Sequence, residues 1–118
     1  MPEQPSSPLN LEGFPITIRT PRLELPIVLT AERARHIAEQ HPDLLYARPE
    51  RIEQVLQNPD WIQTDTRDAR GNKRMFIRKY THLSTVVVVV LETEYAWIIH
   101  ASRISRQLKG EILWQREA

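Results

Sequence analysis

Apolar residues follow two rhythms along this 118-residue chain. Between Thr30 and Pro59 they recur at helical spacing, with Ala34, Ile37, Ala38 and His41 on one face of a first segment and Ile52, Val55 and Leu56 on one face of a second. Thr30 is placed to cap the first helix and Glu32 suits its first turn. His41 ends it, because Pro42 disfavours α conformation in the residue before it. The pattern therefore predicts helices over 30–41 and 49–57. The second starts at Pro49, a good first-turn residue, and stops at Asn58-Pro59.

From Trp61 the period changes to two. Strands are expected over 62–66, 74–80, 85–92 and 95–102, with Gly71 and Asn72 turning between the first two and a short strand or helical turn at 111–115. The five-valine run is too β-branched to be anything but sheet core. The expected fold is thus α+β, with two N-terminal helices packed on one face of a four-stranded antiparallel sheet. Residues 14–29 alternate loosely but are broken by Pro15, Pro21 and Pro26, which suits an edge strand or a crossing strap. Residues 1–13 read as a flexible leader and 14–118 as one domain.

Parity then assigns faces. Met75 and Ile77 would point toward the helices, leaving Arg74, Phe76, Arg78 and Tyr80 on the opposite face. On the last long strand Trp97, Ile99 and Ala101 would point inward, and Ile98, His100 and Ser102 would join the arginines. Because the valine run does not alternate, that opposite face needs a cover at its centre: the strap before Thr30, a partner subunit or a cleft wall.

Charge sharpens this picture. Up to Trp61 there are six Lys or Arg against nine Asp or Glu, and from Ile62 onward ten against six. Arg67, Arg70, Lys73, Arg74, Arg78 and Lys79 cluster around a single acid, Asp68, and Arg103, Arg106 and Lys109 follow; such clusters favour polyanions. The absence of cysteine removes disulfides, thiolate metal sites and thiol nucleophiles. The polar, proline-rich start lacks the pattern of a signal peptide, and the longest apolar stretch is far too short to span a bilayer, so a cytoplasmic location without membrane contact is expected.

Arg, Tyr, His and Ser without paired carboxylates form an inventory for metal-free RNA cleavage. One group must take the 2′-hydroxyl proton, another must protonate the leaving 5′-oxygen, and a cation must stabilise the phosphorane. Histidine can supply the first two and arginine the third. The three glycines are scattered and build no phosphate loop. His36 and His41 stand about 140° apart on an ideal helix, which argues against a shared metal there. No cofactor and no metal are expected.

His36-Ile37, His41-Pro42-Asp43, the run Val55-Leu56-Gln57-Asn58-Pro59-Asp60, Phe76-Ile77-Arg78-Lys79-Tyr80, the valine strand, Ile98-Ile99-His100-Ala101 and Lys109-Gly110-Glu111-Ile112-Leu113-Trp114 occur in an order that resembles the phage-borne branch of the barnase, EndoU, colicin and RelE-like nucleases. The resemblance implies N-terminal helices before a four-stranded antiparallel sheet, metal-independent endoribonuclease activity, and a cleft formed or bordered by His36, His41, Arg78, Tyr80 and His100. Where threonine, alanine and tyrosine are expected, this chain has His100-Ala101-Ser102, which either relocates an acid or base or signals altered activity.

The candidate catalytic set is therefore His36, Arg78, Tyr80 and His100, and Lys73, Arg74, Lys79, Ser102, Arg103 and Lys109 are candidates for RNA contact. Each has a plainer reading beside it. His41 suits helix-end packing, Arg78 and Lys79 can merely protect an edge strand, and Tyr80 and Trp97 are core-type aromatics. RNA is the expected partner, with an inhibitor or antitoxin protein and a second copy of the chain as further candidates. Three functions are compatible with these residues: an endoribonuclease acting through 2′-hydroxyl transesterification, free-standing or toxin-like; a catalytically silent RNA-binding or protein-interaction module; and an oligomerisation module.

Overall fold

The computed structural model describes residues 11–117. The elements are β1 (Ile16–Thr20), β2 (Leu23–Leu29), α1 (Ala31–Gln40), a π-helical turn (Asp43–Ala47), α2 (Glu50–Gln57), β3 (Trp61–Gln63), β4 (Lys73–Lys79), β5 (Ser84–Leu91), β6 (Ala96–Ile104) and β7 (Ile112–Gln115). The expected leader lies outside the described residues up to residue 10; Leu11–Gly13 forms a 3-10 turn.

The two helices form where the apolar spacing puts them. The Thr30 side chain accepts a hydrogen bond from the Arg33 amide at 3.2 Å, and His41 closes α1 by donating its backbone N–H to Ile37. Each helix buries the face named above, with Ala34, Ile37 and Ala38 on α1 and Ile52, Val55 and Leu56 on α2.

The sheet differs from the four antiparallel strands expected. It is a mixed, seven-stranded sheet in the order β1-β2-β6-β5-β4-β3-β7, antiparallel except where β2 runs parallel to β6. The proline-broken segment supplies β1 and β2, so the helices follow two strands rather than opening the domain. Pro21 falls in their turn. Pro26 sits where the β1–β2 register slips, a place that tolerates a residue without an N–H. Residues 112–115 pair with β3 as an edge strand. The sheet curls: the Arg22 guanidinium of the β1–β2 turn lies 4.5 Å from the Trp114 ring centre on β7, at the other end of the strand order.

Two apolar layers line the central strands. Between sheet and helices lie Ile37, Leu56, Phe76, Val87, Val89, Ile98 and their neighbours, nearly all fully buried. The outer face carries a smaller cluster of Met75, Ile77, Val86 and Val88, packed against Trp61, Ile99, Ile104 and Leu108. The valine run is thus apolar on both sides because both sides are covered. The outer cover is supplied by the segment after β6 and not by the strap. Gly110 ends that segment at φ +155°, where an added Cβ would stand 2.0 Å from the Thr64 carbonyl oxygen.

The parity assignment on β4 is inverted. Phe76, with Arg74 and Arg78 on its side of the strand, faces the helices, and Met75 and Ile77 face outward. On β6 strict parity fails altogether. Val89 pairs with Ile98 but Val88 with His100, so Ile99 is an extra residue, a β-bulge. Ile98 and Ala101 point to the helices at a spacing of three, and Trp97, Ile99 and His100 gather on the outer side.

Candidate active site at the free edge of β6

β2 pairs with β6 only at Ala96 and Trp97. Beyond that point the β6 edge has no strand neighbour among the described residues, and His41 at the end of α1 and Asp43 of the π-helical turn meet it. Two contacts define the junction. The rings of His41 and His100 meet edge to face with centres 5.5 Å apart, and Arg103 forms an ion pair with Asp43. Local structure presents the two rings: Pro42 stops α1 and leaves His41 at its end, and the bulge at Ile99 turns His100 outward toward that edge.

Electrostatics mark the site as cationic. Burial, then the charges of His41, His36, Arg33 and Arg67, push the His100 imidazole below its ordinary titration range, so it is neutral at physiological pH. Burial opposes ionisation of Asp43, but the hydrogen bond and charge of Arg103, the local backbone and the charge of His41 outweigh it and hold the carboxyl low. One imidazole kept unprotonated lies against another, with guanidinium charges acting on it, an arrangement whose residue types suit proton transfer beside an anion.

The depressed His100 titration has a thermodynamic consequence. Below the ordinary histidine value of 6.5 the unfolded chain takes up a proton at this position more readily than the folded one does. Stability should therefore fall as pH drops from 6.5 toward the lower folded value, and this contribution should level off beneath it. Denaturant titrations between pH 7.5 and about 5 should show that dependence weakened in His100→Gln; an identical slope in the variant would contradict the assignment.

The structure brings His36 and His100 into electrostatic reach of each other, with His36 exposed on α1 beside Arg33. Arg78 and Tyr80 belong elsewhere. Arg78 donates to the Asn58 carbonyl oxygen at 2.6 Å, the Tyr80 hydroxyl donates to Gln54 at 3.1 Å, and Arg51 stacks 3.7 Å from the Tyr80 ring centre. These two side chains fasten α2 to the end of β4 on the helical side. Through the pairings Arg78–Thr85–Arg103 and Met75–Val88–His100, Arg78 lies three residues farther along the sheet than His100, roughly 10 Å, and two strands away, and Tyr80 lies beyond the end of β4.

The candidate RNA contacts divide in the same way. Lys73 lines a groove on the outer face, Ser102 pairs there with Val86, Lys79 stands 5.6 Å from the Trp61 ring centre, and Lys109 lies on the outer covering segment. Arg74 folds back on the carbonyls of Gly71 and Lys73, and Arg103 is spent on Asp43.

Sequence reasoning underweighted His41, Asp43, Arg33 and Arg67. His41 and Asp43 were signalled only by the fragment His41-Pro42-Asp43 and Arg67 only by the cation cluster, because nothing in the periodicity places a helix end beside a strand far along the chain. No curated protein and no solved structure matches this chain. A family model does, that of the phage-Barnase-EndoU-ColicinE5/D-RelE like nuclease2 family, over residues 13–115. That span takes in every strand and both helices, so it covers the whole sheet and the histidine pair at its edge. With a nuclease-like function and nucleic acid as its substrate class, the chain belongs to the phage barnase, EndoU, colicin E5/D and RelE-like nuclease family.

Proposed function

We propose that the chain is a metal-independent endoribonuclease working at the His41–His100 pair. Neutral His100 removes the 2′-hydroxyl proton as that oxygen bonds to phosphorus. The bond from phosphorus to the 5′-oxygen then breaks, and His41 delivers a proton to the departing oxygen. Products are a 2′,3′-cyclic phosphate and a 5′-hydroxyl end. Arg33, whose charge acts on His100, offsets the charge developing on the phosphorane oxygens, whereas Arg67 is paired with Asp65. His36 borders the entrance.

The observation that carries this reading is the 5.5 Å contact between the two imidazoles, one of them held neutral. No helix of the described residues is long and apolar enough to cross a membrane. A toxin-like role against cytoplasmic RNA, restrained by an inhibitor protein, belongs to the same proposal.

Incubation of the purified protein with structured and unstructured RNA in excess EDTA should yield fragments ending in cyclic phosphate. Uncut RNA, bound in a salt-sensitive manner, would replace this reading with that of a silent RNA-binding module.

A further inference from the structure

A groove of about 450 Å³ opens beside the histidine pair on the outer face of the sheet. It is lined by Arg33, Arg70, Lys73, Glu92, Trp97 and Ile99 among others, and Ile99 is the bulge residue next to His100. We infer that this groove is a base-binding subsite that holds the nucleotide flanking the scissile phosphate, with Trp97 as its stacking platform. The inference rests on the nucleolytic reading of His41 and His100.

Four observations converge on it. The volume lies within the range of small-molecule pockets and accommodates a single nucleotide. The Trp97 side chain is partly buried, outside the core clusters, and its indole N–H donates to the Glu92 carboxylate at 3.2 Å, which fixes the plane of the ring. A platform oriented before binding loses little entropy when a base stacks on it. Arg33 joins the two sites: its guanidinium carbon lies 5.6 Å from the Trp97 ring centre, and its charge is felt at His100. A nucleotide with its base on Trp97 therefore has its phosphate led toward the imidazoles.

The charge arrangement agrees. Asp68, the other acid in the groove, is held ionised by the backbone amides of Lys73 and Arg70, so the three cations Arg33, Arg70 and Lys73 stand against two carboxylates and leave the groove net positive. Glu92 sits at the Trp97 side and uses one oxygen on the indole. Its carboxylate repels phosphate from that side and offers an acceptor to a base amino group. The groove is thus polarised, with base toward Glu92 and Trp97 and backbone toward Arg33.

The test is a coupling cycle between side chain and base. Short oligoribonucleotides with one cleavable linkage, either intact or abasic at a flanking position, are presented to the native protein, Trp97→Leu and Trp97→Phe. Removing the base should slow cleavage by the native protein about 5- to 100-fold, the range of a lost stacking contact. It should slow Trp97→Leu far less, and Trp97→Phe should retain most of the native discrimination. Affinity for the same oligonucleotides with 2′-O-methyl groups, which cannot be cut, gives a second reading that does not need turnover. The exposed Arg70→Ala should weaken that binding and flatten its salt dependence without threatening the fold. Coupling in binding without any cleavage would retain the subsite and sink the endoribonuclease reading. Cleavage in which base loss costs the native protein and Trp97→Leu equally at each flanking position would overturn the subsite.

Discussion

Alanine at His100 is expected to lower the rate of RNA cleavage by about 10²- to 10⁴-fold, and alanine at His41 by a similar factor, because each removes one of the two proton transfers that transesterification requires. The double variant should lose little more than the worse single one, since base and acid act on one transition state as a unit. Single-turnover rates on an RNA of uniform sequence, measured in EDTA near pH 7, would report this. Arg78→Ala and Tyr80→Phe serve as contrasts. Both side chains fasten α2 to β4 through Asn58 and Gln54, so they should reduce stability while leaving the chemical step of the folded protein intact. If cleavage persists unchanged in both histidine variants, the edge of β6 is not the active site.

Alanine at Phe76 should cost about 3–5 kcal/mol of folding stability, the usual consequence of deleting a fully buried aromatic side chain. Phe76 is 1% exposed and packs between α2 and the sheet. The substitution separates two facings of β4. If Phe76 stood with the RNA-contacting residues, its loss would leave stability nearly unchanged and weaken RNA binding. In the structure it should unfold the protein at much lower denaturant and leave the affinity of the folded fraction unaltered. Equilibrium denaturation paired with binding to an uncleavable RNA would decide between them.

Much of the local structure was legible because it depends on short stretches of chain. Both helices, their ends at His41-Pro42 and Asn58-Pro59, the Thr30 cap and the strands that became β4, β5 and β6 follow from spacing, capping and β-branching within windows of ten or so residues. The strand count did not follow. Three prolines left residues 14–29 between an edge strand and a crossing strap; the structure makes them two strands, β1 at the sheet edge and β2 inside it, with a turn and a register slip accommodating Pro21 and Pro26. The direction in which β2 meets β6 is a long-range fact that a local pattern does not encode.

The facing of β4 failed for a related reason. Its alternation is real, but both members are apolar at the centre, Met75 and Ile77 on one side and Phe76 on the other. A sheet covered on both faces gives parity nothing with which to choose inside from outside. On β6 the single inserted residue at Ile99 reverses the expectation for everything before it, and His100 reaches the edge through that bulge.

By itself, the sequence determined the inventory: a helix that must end at a histidine, a valine strand that must be central, cations gathered in the second half, and an ordered set of fragments sufficient for the family. Tertiary structure alone decided which of those residues meet. His41 and His100 are 59 positions apart in the chain and touch because β6 outruns its pairing with β2 and α1 ends against the exposed edge. Arg78 and Tyr80 carry the residue types the chemistry needs, but the twist and facing of β4 commit them to α2. Periodicity reports what each residue prefers to face; contacts between distant elements are fixed by how the sheet curls and where its pairing stops.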